Sequence, residues 1–457
     1  MTRHHRDQGR GDVTKQLSVV LRSSRLSRLG MLGGLTLGLA GEVVGSAARL
    51  GRTPDGVAVD LHRRTARQLR EVLGEMKGLP MKLGQMISYV EDSIPPRYRA
   101  IYRETLADLR DRASPLSLEA MQEVIESDLG APIDELFARF DPEPIAAASI
   151  GQVYRAVLHD GRTVAVKVQY PKIRRAIESD LKNVNLIFSS LSAAMPSVEM
   201  ATMFESLAER LLDECDYVKE AESQVELGRF WAEDPEVLIP PVVEELTGPH
   251  VLVTGLVVGD DWAGLLSRAS QPEKDRVGRI VFKFFYRSLY ELGALHADPH
   301  PGNYVFIPEG PVAFLDFGCV QRYPSEVIEA FRALYADVLA GVRGDVLYQR
   351  ICDAYGLPDE IPSDLQGLVE DYVLLSFEPV TAPQPFRFSK AYTEELMHAV
   401  MRLKLALSKK ALVSRRRVYA ERPGVIFLHR LAFGVSSLLA TLGAEANWRD
   451  EMDVHTP

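Results

Sequence analysis

The stretch that decides the fold is HADPHPGN at residues 296–303, followed by LDFG at residues 315–318. Asp298 and Asn303 lie five positions apart, and Asp316 lies thirteen positions beyond Asn303. Phosphoryl transfer needs one carboxylate that orients the nucleophile or accepts its proton, and an amide oxygen and a second carboxylate that hold magnesium. A loop with Asp and Asn five apart, then a hairpin that delivers Asp-Phe-Gly, meets this need. The set predicts a phosphoryl-transfer site, although each part alone is compatible with an ordinary polar turn.

A lysine precedes this stretch on a candidate strand. The sequence TVAVKVQY at residues 163–170 follows the turn signal His-Asp-Gly at residues 159–161, which predicts a β-hairpin. A lysine on such a buried strand can pair with nucleotide phosphates while a glutamate on a helix orients it. Lys167 lies 131 residues before Asp298, which favours this interpretation over that of a surface lysine on an edge strand.

Three acids lie close together in ECDYVKEA at residues 214–221. On a helix, Asp216 and Glu220 are four positions apart and share a face, whereas Glu214 lies off that face. Such acids repel one another unless cations hold them, so we expect Glu220 to be the partner of Lys167. Glu214 and Asp216 could meet a metal, a basic partner or another domain; a solvated acidic helix face is the alternative.

The position expected for a glycine-rich phosphate loop holds a segment rich in alanine, AAASIGQ at residues 146–152. Ala146, Ala147 and Ala148 allow close approach to the backbone, but with less freedom than glycine has. Backbone N–H groups, together with Ser149 and Gly151, are candidate contacts for nucleotide phosphates. A strand of small residues packed under a helix is the alternative.

A further motif lies in LPMKLGQMISY at residues 79–89. Lys82 and Gln85 are three positions apart and share a helical face, and Gly84 between them permits close packing. Spacing alone assigns the motif no function, and plain helix packing remains open.

The N-terminus combines a basic arm with a weakly apolar segment. Residues 31–48 are rich in glycine and small residues, and the preceding 30 residues carry mostly basic charges. This combination suits an anionic membrane surface; a flexible tail followed by a helix packed on the protein itself is the alternative. No run of about 18 purely apolar residues occurs, so a standard transmembrane helix is not predicted.

Bulk properties narrow the class of protein. The chain has 457 residues, a formal net charge of -10 and 46% hydrophobic residues, which indicates a folded protein of more than one domain. The acidic balance disfavours a nucleic-acid-binding protein. We expect a basic arm and candidate membrane helix at 1–55, a helical extension at 56–135, a lobe with a small sheet at 136–258, and a helical lobe at 259–457.

These features together resemble the UbiB/AarF/ADCK family of atypical kinase-like proteins. The similarity runs from about residue 60 to the end of the catalytic lobe, and the motif at 82–85 and the stretch at 296–303 are specific to that family. The resemblance implies an α+β, bilobal, protein-kinase-like fold with a helical N-terminal extension packed over the active site. The extension would obstruct protein substrates and give Lys82, Gly84 and Gln85 a regulatory role.

The resemblance also implies roles for the remaining residues. Lys167 and Glu220 would form the ion pair, Asp298 would take the catalytic-base position, and Asn303 and Asp316 would hold the metal. The alanine-rich loop would alter nucleotide behaviour, and the acidic pair at 214 and 216 would lie near the helix of the 82–85 motif.

Three positions depart from the family pattern. Ser223 stands where the family usually has Asn, and Tyr154 stands where His is more common. Gly255 replaces an acidic residue in the segment that joins the lobes, which puts the adenine-side contacts in doubt. None of the three removes a phosphate or metal ligand.

The favoured interpretation is an ATPase or phosphotransferase that binds Mg-ATP or Mg-ADP, with Mn²⁺ as the alternative ion. The resemblance implies a role in isoprenoid quinone or lipid metabolism, with an anionic membrane or lipid and quinone-biosynthesis proteins as partners. We expect a cytoplasmic protein peripheral to a membrane. A non-catalytic, nucleotide-binding regulator or scaffold with a kinase fold is the alternative. An antibiotic or choline phosphotransferase is disfavoured by the 82–85 motif and the alanine-rich loop.

Overall fold

The computed structural model describes residues 116–148, 150–179, 181, 212–357, 363–414 and 425–453, with a few isolated positions between 59 and 105. The expectations for the basic arm, for residues 31–48 and for the 82–85 motif therefore lie outside the described residues. The chain divides into two compact units. The first contains the described residues up to 124, with 142–153 and the described part of 168–215; the second contains 125–141, 154–167 and the described residues from 216 onward.

The described strands form four small sheets. In chain order they are β1 (Arg139–Ala148), β2 (Gly151–Val157), β3 (Thr163–Gln169), β4 (Val237–Leu238), β5 (Val251–Gly255), β6 (Ala294–His296), β7 (Tyr304–Phe306), β8 (Val312–Phe314), β9 (Val320–Arg322), β10 (Phe386–Arg387) and β11 (Glu445–Ala446). The orders within the sheets are β1-β2-β3-β5, β4-β8-β7, β6-β9 and β10-β11.

Helices make up most of the second unit. The described α-helices are α1 (Leu118–Leu129), α2 (Ile133–Leu136), α3 (Tyr217–Trp231), α4 (Trp262–Arg268), α5 (Gln271–Tyr290), α6 (Ser325–Leu339), α7 (Asp345–Tyr355), α8 (Ser363–Ser376), α9 (Glu378–Thr381), α10 (Lys390–Ser414), α11 (Val425–Leu442) and α12 (Trp448–Asp453). Residues 173–179 are helical as well. Strands and helices thus mix as the sequence predicts, which confirms the α+β class.

The predicted β2–β3 hairpin is present. Its turn closes through the N–H of Leu158, which donates to the carbonyl oxygen of Arg162 at 2.9 Å, and Gly161 adopts a φ of 88° that favours glycine. Along β3 the valines at 164, 166 and 168 are buried, whereas Lys167 lies between two of them on the opposite face. Burial of one face therefore sets the direction in which the lysine points.

A second hairpin carries the residues that follow the 296–303 stretch. Strands β7 and β8 pair antiparallel, with Tyr304 opposite Phe314 and Phe306 opposite Val312. The turn between them places Glu309 at a positive φ of 54°. The two strands form the hairpin that was expected to deliver Asp-Phe-Gly. The strand pair β6–β9, by contrast, is absent from the prediction, because its two members lie on either side of the β7–β8 hairpin and no turn sequence joins them.

Helix α5 forms the centre of the core of the second unit. Its residues Phe282, Phe284 and Phe285 are 2% exposed or less. The ring of Phe284 stacks on that of Phe314 on β8 with centroids 3.6 Å apart, and Phe282 packs on Trp448 of α12 at 5.0 Å. Such aromatic contacts add to the free energy gained from burial. The core therefore fixes the β7–β8 hairpin against α5.

Within the described part of the chain, no helix has the length and apolar character needed to cross a membrane.

Candidate active site

The loop after β6 brings Asp298 and Asn303 together. The N–H of His300 donates to the carbonyl oxygen of Asp298 at 2.7 Å, and a 3₁₀ turn over Pro301–Asn303 follows. The amide nitrogen of Asn303 then donates to the carboxylate oxygen Oδ2 of Asp298 at 3.1 Å. The five-residue spacing in the sequence thus becomes a direct side-chain contact.

Asp316 is tied to the same loop through the backbone. The N–H of Leu315 donates to the carbonyl oxygen of Asn303 at 2.9 Å, and the N–H of Ala297 donates to that of Cys319 at 2.8 Å. The carboxylate oxygen Oδ1 of Asp316 accepts the N–H of Gly318 at 3.0 Å. These bonds hold the Asp298 loop and the Asp316 segment as one structural element.

Lys167 lies between the helix α3 and the Asp316 segment. Its Nζ atom is 2.7 Å from Oε1 of Glu220 and 3.6 Å from Oδ2 of Asp316. The Glu220 side chain is only 2% exposed and that of Lys167 is 17% exposed, whereas that of Asp316 is 40% exposed. The structure therefore joins Lys167, Glu220 and Asp316, which lie 53 and 96 residues apart in sequence, in one ion cluster.

The electrostatics keep the lysine charged. Burial opposes the ammonium, but the negative charges of Asp316 and Glu220 outweigh it and raise the pKa of Lys167 above its ordinary value. Burial raises the pKa of the Glu220 carboxyl, and Lys167 and the N–H of Phe317 act against that rise. A permanently charged lysine is thus directed at the exposed carboxylate of Asp316.

Four further residues support the cluster and were not identified from the sequence. Tyr217 places its ring 5.0 Å from Nζ of Lys167, a cation–π contact. His296, 1% exposed, bonds through Nε2 to the carbonyl oxygen of Asp316 and packs on the ring of Phe317. Tyr304 is buried, and its pKa is raised well above the ordinary value by burial and then by the charge of Asp298. His296 and Phe317 belong to the two quoted stretches, so their positions were usable signals, whereas Tyr217 gave none.

Asp216 has a structural role in the described geometry. Helix α3 begins at Tyr217, so Asp216 is its N-cap residue rather than a helical one, and its side chain accepts the N–H of Lys219 at 3.4 Å. Such caps stabilise helix starts by about 1 kcal/mol. Glu214 is half-buried in the turn before it and belongs to the first unit. Asp216 and Glu220 were expected to lie on one face of the same helix, but the helix begins only after Asp216.

The alanine-rich segment lies at the end of β1 and the start of β2. Ala146 and Ala147 are exposed and Ala148 is half-buried, and all three belong to the first unit. A Cβ on Gly151 would lie 2.1 Å from the carbonyl oxygen of Val168, so only glycine fits there. Gly151 therefore has a packing reason for its identity. Ser149, like Lys82, Gly84 and Gln85, lies outside the described residues.

The donor set suits a magnesium nucleotide. The amide nitrogen of Asn303 turns to Asp298, which leaves the amide oxygen as the other polar atom of that side chain. With the carboxylate of Asp316 it supplies hard oxygen ligands, and Mg²⁺ typically takes few protein ligands and completes its shell with phosphates and water. Among the described residues there is no group of three or more His, Cys, Asp or Glu side chains that would hold a metal by itself. The oxygen atoms of Asn303 and Asp316 therefore fit Mg²⁺ whose remaining ligands come from phosphate and water.

Known proteins resemble this chain in sequence. Residues 108–346 match the family model described as ABC1 atypical kinase-like domain, which is more than half of the chain. A chloroplastic aarF domain-containing protein kinase of Arabidopsis thaliana is 32% identical over 339 residues, 74% of this chain and 44% of that protein. The mitochondrial atypical kinase COQ8B of Rattus norvegicus is 29% identical over 442 residues, 94% of this chain and 80% of that protein. The chain thus spans less than half the length of the first relative.

A solved structure has a similar fold. It is the complex of Rv3197 with erythromycin from Mycobacterium tuberculosis, with a TM-score of 0.60 and 26% sequence identity. The match covers 89% of this chain and 99% of that one. With the family match, this confirms the kinase-like α+β fold predicted from the sequence.

Proposed function

Because this chain belongs to the ABC1 atypical kinase-like family, we propose that it binds Mg-ATP or Mg-ADP and acts as an ATPase or phosphotransferase. The observation that carries the proposal is the ion cluster of Lys167, Glu220 and Asp316 beside the Asp298–Asn303 pair. Kinase-type phosphoryl transfer uses this set of groups.

Each residue of the cluster has a defined task in this proposal. Glu220 holds Lys167 in position. The ammonium of Lys167 binds phosphate oxygens and gives up part of its contact with Asp316. Asn303 and Asp316 hold Mg²⁺, which when bound neutralises phosphate charge. Asp298 orients the hydroxyl or water nucleophile and accepts its proton, and the amide nitrogen of Asn303 keeps the Asp298 carboxylate in place at 3.1 Å.

A paired measurement tests the proposal. Stabilisation by nucleotide, followed as the shift of the thermal midpoint with ATP or ADP, should require Mg²⁺ or Mn²⁺ in the wild type. Asp316→Asn should lose most of that metal-dependent shift, because it removes a metal ligand and half of the charge facing Lys167. An unchanged shift in a folded Asp316→Asn protein would reject the metal assignment.

Phosphate release from ATP, measured beside the thermal shift, separates an ATPase from a non-catalytic regulator. Asp298→Asn should retain Mg-nucleotide binding and lose phosphate release, because Asp298 acts on the nucleophile rather than on the nucleotide. A wild type that binds Mg-nucleotide but releases no phosphate, with or without anionic vesicles, would favour the regulator.

We also propose that the activity supports isoprenoid quinone or lipid metabolism at a membrane. The support is the family resemblance, the similarity to the mitochondrial atypical kinase COQ8B and the basic, weakly apolar N-terminus. Quinone and lipid profiles of a deletion strain complemented with wild type or Asp298→Asn test the metabolic part. Flotation with anionic vesicles tests the membrane part, and removal of residues 1–50 should abolish binding.

A macrolide is a second ligand to test, since the similar solved structure is a complex with erythromycin. Erythromycin should be titrated alone and against Mg-ADP. Competition between the two would place the macrolide in the nucleotide site, and additive stabilisation would place it elsewhere.

A further inference from the structure

One stripe of helix α3 faces the segment that carries Asp316. Glu220, Ser223 and Glu226 recur at intervals of three residues, so they lie along one side of the helix. Glu220 is 3% exposed and Ser223 is 6% exposed, which shows that the upper part of this stripe is covered. The N–H of Phe317 meets the carboxylate of Glu220 at one end of the stripe.

Arg322 holds the other end of the same stripe. Its Nη2 atom donates to Oε2 of Glu226 at 2.5 Å and to Oγ of Ser223 at 3.3 Å, and its Nε donates to the same Glu226 oxygen at 3.2 Å. Two donors of one guanidinium thus meet a single carboxylate oxygen, and a third contact reaches a buried hydroxyl. The fork of arginine suits such a multiple contact better than the single ammonium of lysine does.

The backbone of Arg322 belongs to the candidate active site. Arg322 ends β9, six residues after Asp316, and lies opposite Ala294 in the antiparallel pair with β6. In the same pair Val320 lies opposite His296, two residues before Asp298. Arg322 is therefore built on the two strands that position the Asp298 loop and the Asp316 segment.

We propose that Arg322 is a positioning residue that clamps α3 to the Asp316 segment and so sets the distance between Glu220, Lys167 and Asp316. The proposal rests on the proposed function, since it concerns the geometry of the same site. Leu227 and Trp231 anchor the far end of α3 in the core, so without the clamp only Glu220 would link the helix to the Asp316 segment. The start of the helix could then shift about this anchored end and draw Glu220 away from Lys167, which would leave the lysine free to follow Asp316.

The exposure of the clamp limits its contribution to overall stability. The Arg322 and Glu226 side chains are 52% and 39% exposed, and half-exposed ion pairs are screened by water and salt. We therefore expect Arg322→Met to leave the thermal midpoint nearly unchanged and to lower turnover of Mg-nucleotide by about two- to fivefold, the range expected for an exposed pair. The apparent affinity for nucleotide should change less than turnover.

A matched pair elsewhere in the second unit provides the control. Arg387 on β10 and Glu445 on β11 form an ion pair of 2.6 Å with side chains 54% and 35% exposed, nearly the same exposure as the clamp. Arg387→Met removes an equivalent guanidinium far along the chain from the site residues. It should leave turnover at the wild-type value.

The decisive experiment is a double-mutant cycle on turnover with Arg322→Met and Glu226→Gln. If the clamp acts as proposed, each single variant lowers turnover, the double variant is no worse than Arg322→Met, and the effect shrinks in high salt. Turnover equal to wild type in Arg322→Met, or full additivity of the two changes, would overturn the proposal.

Hydrogen exchange of the amides of α3 gives a readout that does not depend on activity. Without nucleotide, Arg322→Met should speed exchange over residues 217–231, whereas Arg387→Met should not. Unchanged exchange in Arg322→Met would reject the clamp even if the wild type proved to have no turnover. A wild type without measurable turnover would reject only the proposed function.

Discussion

Two lysines of the second unit, one half-buried and one buried, each meet two carboxylates, but the groups around them differ. Lys167 on β3 lies 2.7 Å from Glu220 and 3.6 Å from Asp316. The two distances are unequal, and the more distant carboxylate is 40% exposed. This cluster holds one carboxylate firmly and leaves the other turned partly to water.

Lys283 on α5 sits in a closed network instead. Its Nζ atom lies 2.8 Å from Asp234 and 2.7 Å from Glu236. Arg279 pairs with Glu236, and Arg287 reaches Asp234 at 3.6 Å. Burial disfavours the charge of both acids, but the hydrogen bonds from these cations outweigh it and lower the pKa of Asp234 and of Glu236. Each carboxylate is shared by two cations, which favours a role in holding α5 to the chain at 234–236.

The difference shows how the same pair of chemical groups serves two purposes. A carboxylate satisfied on all sides stabilises the fold and has little capacity left for a ligand. A carboxylate that stays partly open to water and lies farther from its lysine, like that of Asp316, can take a metal or exchange its lysine contact for a phosphate. The comparison predicts that changes at Lys167 act on chemistry and that changes at Lys283 act on stability.

The largest expected effect comes from Lys167→Met. Turnover should fall by about a thousandfold, because a charge directed at phosphate in a partly dry site is lost. The protein should still fold, since burial already raises the pKa of Glu220 and a protonated carboxyl can remain there without a cation. Initial rates and thermal unfolding of purified protein check both statements. Wild-type turnover in the folded variant would show that Lys167 does not act on the chemistry.

Lys283→Met should have the opposite profile. Removal of one partner from a buried network leaves charges poorly compensated and costs about 3 kcal/mol of unfolding free energy. Nucleotide affinity of the folded protein should stay the same. Lys274→Met on the same helix, at a half-buried position, is the control and should be near neutral. Denaturant titration gives the free energies, and an unchanged value for Lys283→Met would contradict the assignment to the scaffold.

Gly434 tests whether a scaffold residue also affects turnover, because it lies next to the Asp298 loop. A Cβ on Gly434 of α11 would lie 2.3 Å from Cγ of Pro299, the residue after Asp298. Gly434→Ala should cost about 2 kcal/mol of stability through overpacking and lower turnover as the loop shifts. Gly367→Ala on α8, where a new Cβ meets nothing within 4 Å, is the control and should be neutral or slightly stabilising. Equal turnover in both variants would show that the packing of α11 does not influence the Asp298 loop.

The smallest expected effect is on the pH dependence of stability. The folded pKa values of Asp234 and Glu236 are lowered, so the stabilisation they supply is present above their unfolded pKa, near 4, and is lost as pH falls below it. The difference in unfolding free energy between wild type and Lys283→Met should therefore shrink by about 1 kcal/mol between pH 7 and pH 3. A difference that stays constant over this range would show that the network acts through packing rather than charge.

Several parts of the fold could be predicted because their signals are local. The β2–β3 hairpin rests on a turn sequence and alternating valines, and the β7–β8 strands rest on two short apolar runs around Pro-Glu-Gly. The pair Asp298 and Asn303 also belongs here, since five residues of one turn bring the two side chains into contact. Periodicity and turn chemistry act within a few residues, so a sequence records them directly.

Other features depend on contacts between distant segments. The strands β6 and β9 have three residues each and are recognisable only as a pair, and Arg322 meets Glu226 across 96 residues. Gly434 lies 135 residues from the proline that it approaches. Nothing in the local composition of these segments selects such partners.

The sequence by itself determined which chemical groups the candidate site contains, because their types and spacing in the two short motifs are specific to phosphoryl transfer. It also determined that Lys167 points away from the buried valines of its strand, since alternation follows from the extended backbone. Only the tertiary structure decided which of the carboxylates beside the two lysines are enclosed and which one stays partly exposed. That difference depends on how many cations surround each carboxylate and how much water reaches it, and both quantities are set by the packing of α3 and α5 against segments distant in the chain.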